Sequence, residues 1–360
     1  MIWKRSAKWI IAFGLAVLIK IFSFFPNAVE KYYSQGFYPF ISRLLRILFG
    51  WIPFSIGDIF YSCIFIWLVV KMVAFFKKLF TKRIHKPYLI YFCKRIVWLC
   101  LVLYIVFNMI WGLNYDRRGI SYQLQLEVQP YSTLELDTLV RQVVTRLNEF
   151  DDSSRMNRSF LKRKRTLFSK AFQSYQNLTK KSKQFSYHNR SIKPSIFSYF
   201  GDYLGFTGYY NPFSGEAQVN TTVPVFIQPF TTCHEMGHQL GYAKENEANF
   251  AGFLSATSSN DPAFSYSAYF DLYIYAASEL YARDSTLIKP LRESLKPMVR
   301  EDFRTLGRFL DQYKNPLEPY IRRLYGRYLK ANNQPQGIQT YNEVTAWMIA
   351  YYKKYGKEAL

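Results

Sequence analysis

Residues 231–253 read TTCHEMGHQLGYAKENEANFAGF, and His234-Glu235-Met236-Gly237-His238 within them is an HExxH motif. On a helix, residues i and i+4 share a face, so both imidazoles point into one cleft and reach a common Zn²⁺ at about 2.0–2.1 Å. Glu235 is offset around that helix and reaches the attacking water rather than the metal. This assigns it the role of general base and then proton shuttle. The chain has four histidines, His85, His188, His234 and His238, so a pair at this spacing carries information. Gln239, Lys244, Glu245, Asn246, Glu247 and Asn249 follow closely, and that polarity puts the motif in a soluble domain rather than a membrane helix.

A catalytic zinc site takes a third protein ligand and keeps a fourth position open. No His or Cys follows His238, so the expected third ligand is a carboxylate. Gly241 stands where metzincins use glycine to turn the chain back to the metal, but Lys244 occupies the place of their third histidine. Glu245-Asn246-Glu247-Ala248-Asn249 resembles the ExxAD ligand helix of gluzincins, with Asn249 replacing the Asp. Glu245 is the expected third ligand, and Glu247, within the same turn, is the alternative. Small Ala248 lets the two helices pack closely, and Asn249 is expected to hydrogen-bond a ligand histidine. Cys233 points to another face and reads as a buried small hydrophobe. For an oxyanion donor, Tyr341 and His188 are candidates by residue type alone.

Outward from the motif, the composition divides. The 360 residues are 49% hydrophobic and 19% aromatic, which excludes intrinsic disorder. Four scattered cysteines exclude a disulfide framework. Three apolar runs, 9–25, 59–76 and 96–113, each have about the ~20-residue length of a transmembrane helix. The first follows Lys4, Arg5 and Lys8 without a small-x-small cleavage site, which reads as a retained signal anchor. Lys77, Lys78, Lys82, Arg83, Lys86, Lys94 and Arg95 follow the second run, against Lys31, Arg43 and Arg46 after the first. That bias places the N-terminus in the cytoplasm of a bacterial inner membrane, and three spans then place everything after Leu113 outside, periplasmic where there is an outer membrane. The expected division is a membrane anchor over 1–113 and an extracytoplasmic domain over 114–360.

The anchor carries 15 Lys/Arg against Glu30 and Asp58, a net +13 of the total +22, which leaves +9 for the rest. Twelve basic residues and no acidic one lie between Arg155 and Lys193. Outside the cytoplasm the nearest polyanion is the membrane surface, so a lipid bilayer and a protein or peptide substrate are the expected partners and nucleic acid is not. Nothing in the sequence sets an oligomeric state. Periodicity predicts helices over 133–150, 155–180, 231–240, 245–257, 264–283, 298–313, 316–331 and 340–354. The clearest strand, 216–223, reads as the edge strand that pairs with an extended substrate. The fold class is mainly α: a three-helix transmembrane anchor followed by a zincin-like α+β domain with a small sheet.

WGLNYDR at 111–117, GYYNPFSGEAQVN at 208–220, TTCHEMGHQLGYAKENEANF at 231–250 and GIQTYNEVTAWMIAY at 337–351 together resemble a domain-of-unknown-function family. Its members are bacterial three-helix membrane proteins with a zincin-like extracytoplasmic domain. The resemblance covers nearly the whole chain and implies metallopeptidase chemistry carried by His234, Glu235, His238 and a Glu in 245–247. The leading expectation is a membrane-anchored, gluzincin-type zinc metallopeptidase with one zinc per chain. A noncatalytic membrane scaffold with a structural or degenerate zinc site is the alternative from another class. A transport subunit would need the spans to assemble around Asp58 and Lys71.

Overall fold

The computed structural model describes residues 2–81, 83–332, 334 and 341–356. The N-terminal third comprises α1 (Ile2–Ser23), α2 (Pro26–Ala28), a wide π-type stretch over Val29–Phe37, α3 (Tyr38–Gly50), α4 (Ile56–Phe80) and α5 (Lys86–Ile110). Then follow α6 (Ile120–Gln123), α7 (Thr133–Leu161), α8 (Lys164–Lys181), β1 (Ile192–Pro194), α9 (Ser198–Leu204), β2 (Gly208–Asn211) and β3 (Glu216–Val219). The remainder is helical: α10 (Gln228–Gln239), α11 (Glu245–Thr257), α12 (Pro262–Arg283), α13 (Ser285–Ser294), α14 (Pro297–Gln312), α15 (Glu318–Ala331) and α16 (Tyr341–Tyr355). The described residues thus make a mainly helical fold with one small mixed sheet.

Helices α4 and α5 are each long and apolar enough to cross a membrane. Both outrun the apolar windows 59–76 and 96–113, because the helices continue through the Lys77-Lys78 and Lys94-Arg95 pairs that a hydropathy window rejects. At its other end α5 stops at Ile110, and Gly112–Asp116 form a 3₁₀ turn. Residues 9–23 of the expected first span lie on the single helix α1, and the chain bends at Phe24-Phe25, the last two residues of that span. Ala7–Ser23 and Pro26–Gly50 meet at 96°, and a third span exists only if this bent pair is taken as one. Pro26 marks the break, having no N–H to continue the preceding helix.

The main core lies between α7 and α12, with α8, α10, α11 and α16 around it. Helix α7 opens on a reciprocal capping box between Ser132 and Glu135, the kind of cap that contributes about 1 kcal/mol. It buries Leu136, Val140, Val143 and Leu147 at helical spacing, and the stacked pair Phe150–Tyr269 marks its contact with α12.

Sheet order is β1-β3-β2, with β1 parallel and β2 antiparallel to β3. The strand expected at 216–223 therefore ends at Val219 and sits in the middle of the sheet, not at its edge. It tolerates Glu216 and Gln218 in a fully buried position because both are used. Glu216 accepts hydrogen bonds from the Ile56 and Gly57 N–H groups (3.2 and 2.6 Å) and from the Ser55 and Ser214 hydroxyls, which caps the start of α4 with a carboxylate.

Asp58, in the first turn of α4, does not face an interface or a pore. It is buried and accepts from the Ile196 N–H (2.6 Å), the Ser195 hydroxyl (3.2 Å) and the Tyr209 hydroxyl. Lys193 of β1 donates to the Phe49, Gly50 and Ile52 carbonyls at the end of α3. A second apolar cluster joins Val29, Tyr33 and Tyr38 to Trp111, Leu113, Tyr115 and Ala243. Residues 29–58 are thus packed into the body that follows residue 113, a junction that a hydropathy boundary passes over.

Candidate metal centre

The HExxH segment lies on α10, a helix with Pro229 in its first turn and nearly every side chain buried. Its C-terminal carbonyls, which have no partner inside the helix, are satisfied from the N-terminal third. The Gln239 carbonyl accepts from the Ser42 hydroxyl (2.7 Å), the Tyr38 hydroxyl (3.1 Å) and the Arg46 guanidinium (3.1 Å). The His238 carbonyl accepts from the Trp111 indole N–H (3.4 Å). Gly241 then adopts a left-handed φ of +85°, in a place where Tyr38 and Asn114 leave no room for a Cβ. That turn brings α11 back antiparallel against α10, with Ala248 packed on Gly237 and Gly252 on the His234 backbone. The small residues on both helices set the spacing.

The result is a convergence of four side chains. One nitrogen of each imidazole and one Glu235 oxygen lie within 4.8 Å of one another. Glu245 comes closer, with its two carboxylate oxygens 3.4 Å from His234 Nε2 and 3.8 Å from His238 Nε2. The two distances go to different oxygens of the carboxylate, which lies between the two imidazoles, and imidazole and carboxylate are the donor types that zinc takes. His238 Nδ1 donates to the Tyr242 carbonyl (2.7 Å), which leaves Nε2 as the lone-pair nitrogen facing Glu245. The Tyr325 hydroxyl donates to Glu245 Oε1 at 2.7 Å.

Glu235 is buried beneath the edge strand β2. A Cβ at Gly208 would lie 2.6 Å from Glu235 Oε1, so only glycine admits the carboxyl there. Its other oxygen and His234 Nδ1 are buried without a protein hydrogen-bond partner. Burial pushes the Glu235 carboxyl up to about 8 against the pull of His234. Burial also lowers His238, while at His234 the carboxylates of Glu245 and Glu235 outweigh burial and raise it. Glu245, despite burial, is held below the usual carboxylate range by the two imidazoles. Two imidazoles and a carboxylate converging in a buried place, beside polar atoms left without a protein partner, fit a cation, and this donor set suits zinc with an open position.

Residues 33–349 match the family described as Protein of unknown function (DUF3810). The chain belongs to that family. Neither a curated protein nor a solved structure matches it. The matched DUF3810 segment contains all four converging residues and the α3, Trp111 and β2 elements that hold them.

The structure separates the two glutamates left open by the sequence. Glu245 faces both imidazoles, whereas Glu247 turns toward the linker after α5, where its Oε1 fills the space a Cβ of Gly119 would need. Asn249 does not bond a ligand histidine: its Nδ2 and His234 Nδ1 are both without partners, and His238 Nδ1 is taken by Tyr242. Cys233 is fully buried against Ser174. His188 is on the surface, paired with the Ser186 hydroxyl. The Tyr341 side chain lies outside the described residues. Sequence reasoning missed Tyr325, Trp111 and Gly208, which lie 80, 127 and 27 residues from the groups they serve.

Proposed function

We propose that the chain is a membrane-anchored zinc metallopeptidase of gluzincin type, with its catalytic domain on the extracytoplasmic side. The observation that supports this reading is the buried Glu235 carboxyl under the β2 edge, within 4.8 Å of a nitrogen of each imidazole, with Glu245 facing the same two imidazoles from α11. A purely structural site needs the three ligands but has no use for a buried carboxyl under an open strand edge. Zinc, when bound, supplies Lewis acidity toward a carbonyl and toward water.

The remaining steps belong to the chain. His234, His238 and Glu245 hold the ion, and Tyr242 and Tyr325 orient His238 and Glu245 through hydrogen bonds. The β2 edge offers backbone groups to an extended peptide, which lays a scissile bond over Glu235. Glu235 takes the proton from the attacking water and returns it to the leaving amine. Orientation follows from the basic residues between α4 and α5, which lie at the ends remote from the site.

The test is hydrolysis of a mixed peptide library by the full chain in detergent, wild type beside Glu235→Gln. The full chain is required because residues 29–58 build part of the site. Cleavage that is lost in Glu235→Gln supports the reading. A zinc-loaded wild type without cleavage of any peptide favours the scaffold alternative.

A further inference from the structure

Peptidases tethered by a flexible stalk can sample substrates at many heights above a bilayer. This chain has no such freedom. Trp111 immediately follows the last residue of α5, and its ring lies 6.2 Å from the His238 ring, with its N–H on the His238 carbonyl. At the start of α4, Asp58 holds Ile196 and Tyr209, and Glu216 holds Ile56 and Gly57. The edge strand over Glu235 is therefore bolted to one apolar helix, and a histidine of the cluster to the other.

Two further elements reach the same level. The turn into α9, joined to α4 by the Ile196 N–H on Asp58, exposes Ile196, and α9 itself exposes Tyr199 and Phe200, all at 57–65%. Helix α15, joined to the end of α5 by the Tyr115–Tyr328 hydroxyl pair (3.0 Å), exposes Tyr320 and Leu324 at 62–63%. Tyr313, just before α15, packs its ring on Tyr199 and Tyr203 of α9, so the two apolar faces are continuous. Aromatic and aliphatic side chains at the ends of apolar spans belong in the headgroup layer.

Building on the peptidase reading, we infer that the site lies at the lipid surface and acts on polypeptides anchored in the same bilayer, cutting them a few residues outside the membrane. The headgroup layer is about 5–8 Å deep per leaflet, and extended chain covers about 3.3–3.6 Å per residue. A site one aromatic ring, 6.2 Å, beyond the end of α5 therefore reaches about three to four residues from the lipid. Sharing a membrane also raises the substrate's effective concentration.

Two measurements on the full chain in phosphatidylethanolamine/phosphatidylglycerol vesicles test this. First, with Cys63, Cys93 and Cys100 changed to serine, a fluorophore is placed by Phe200→Cys, Leu324→Cys or, as a distant control, Met156→Cys. Headgroup-attached spin labels should quench the first two at least threefold more than the control, and equal quenching overturns the proposal. Second, a random dodecapeptide library is joined to a synthetic Leu/Ala transmembrane helix by Gly/Ser spacers of 2 or 20 residues and compared with the free library. Cleavage should fall within about four residues of the helix, at least tenfold faster with the short spacer than with the long one or the free library. Equal cleavage of all three overturns the proposal and leaves the peptidase intact. Cleavage of none sinks the peptidase and with it the substrate class, and the quenching still decides where the site lies.

Discussion

The indole N–H of Trp111 donates to the backbone carbonyl of His238 at 3.4 Å, so the first residue beyond α5 holds the last residue of the HExxH motif. The carbonyl also accepts from Gly241 N–H at 2.9 Å and stays partly satisfied without the indole. Trp111→Phe is expected to cost about 0.5–1 kcal/mol, the low end for a hydrogen bond. Trp111→Ala adds the loss of a buried ring, about 3–5 kcal/mol. Denaturant unfolding of the full chain checks both.

Glu245 and Glu247 are expected to part company in metal affinity. Glu245→Gln should weaken zinc binding by more than the roughly 10–100-fold typical of losing a supporting contact. Glu247→Gln should leave affinity within about threefold and act on stability alone, because its carboxyl packs at Gly119. Zinc competition titrations against a chromophoric chelator read the difference.

Gly208→Ala places a methyl 2.6 Å from Glu235 Oε1, inside van der Waals contact. Either the β2 edge lifts or the base swings away, and a displacement of about 1 Å at such a site costs on the order of 10²-fold in rate. Zinc content should stay at the wild-type value, since no expected ligand is touched. Peptide hydrolysis beside metal analysis gives both readings.

Tyr325→Phe removes one O–H from the open side of the site. That O–H donates to Glu245 Oε1, so its loss should weaken zinc affinity about 10–100-fold. A chelator competition titration checks this, and unchanged affinity would contradict the positioning role.

How far the sequence carried is clearest at α10 and α11. The i, i+4 pair and the small residues that let two helices touch are local patterns, and local patterns survive in a string. Glu245 beside the imidazoles follows from them. Trp111, Tyr325 and the Ser42–Tyr38–Arg46 clamp do not, because each acts across 80 to 200 residues of chain. Residues 216–223 read as an edge strand by analogy with the strand that pairs with substrate; the strand is central, with β1 on one side and β2 on the other, and its Glu216 caps α4. The bend after Ser23 coincides with the end of the first apolar run, where Pro26 stands.

The most direct measurement is zinc stoichiometry of the purified full chain by mass spectrometry, after zinc loading and removal of excess, for wild type, His238→Ala and Glu235→Gln. The account predicts about one zinc per chain in wild type and Glu235→Gln and a large loss in His238→Ala, as expected for an open site with three protein ligands. A folded wild-type chain that retains no zinc would contradict it.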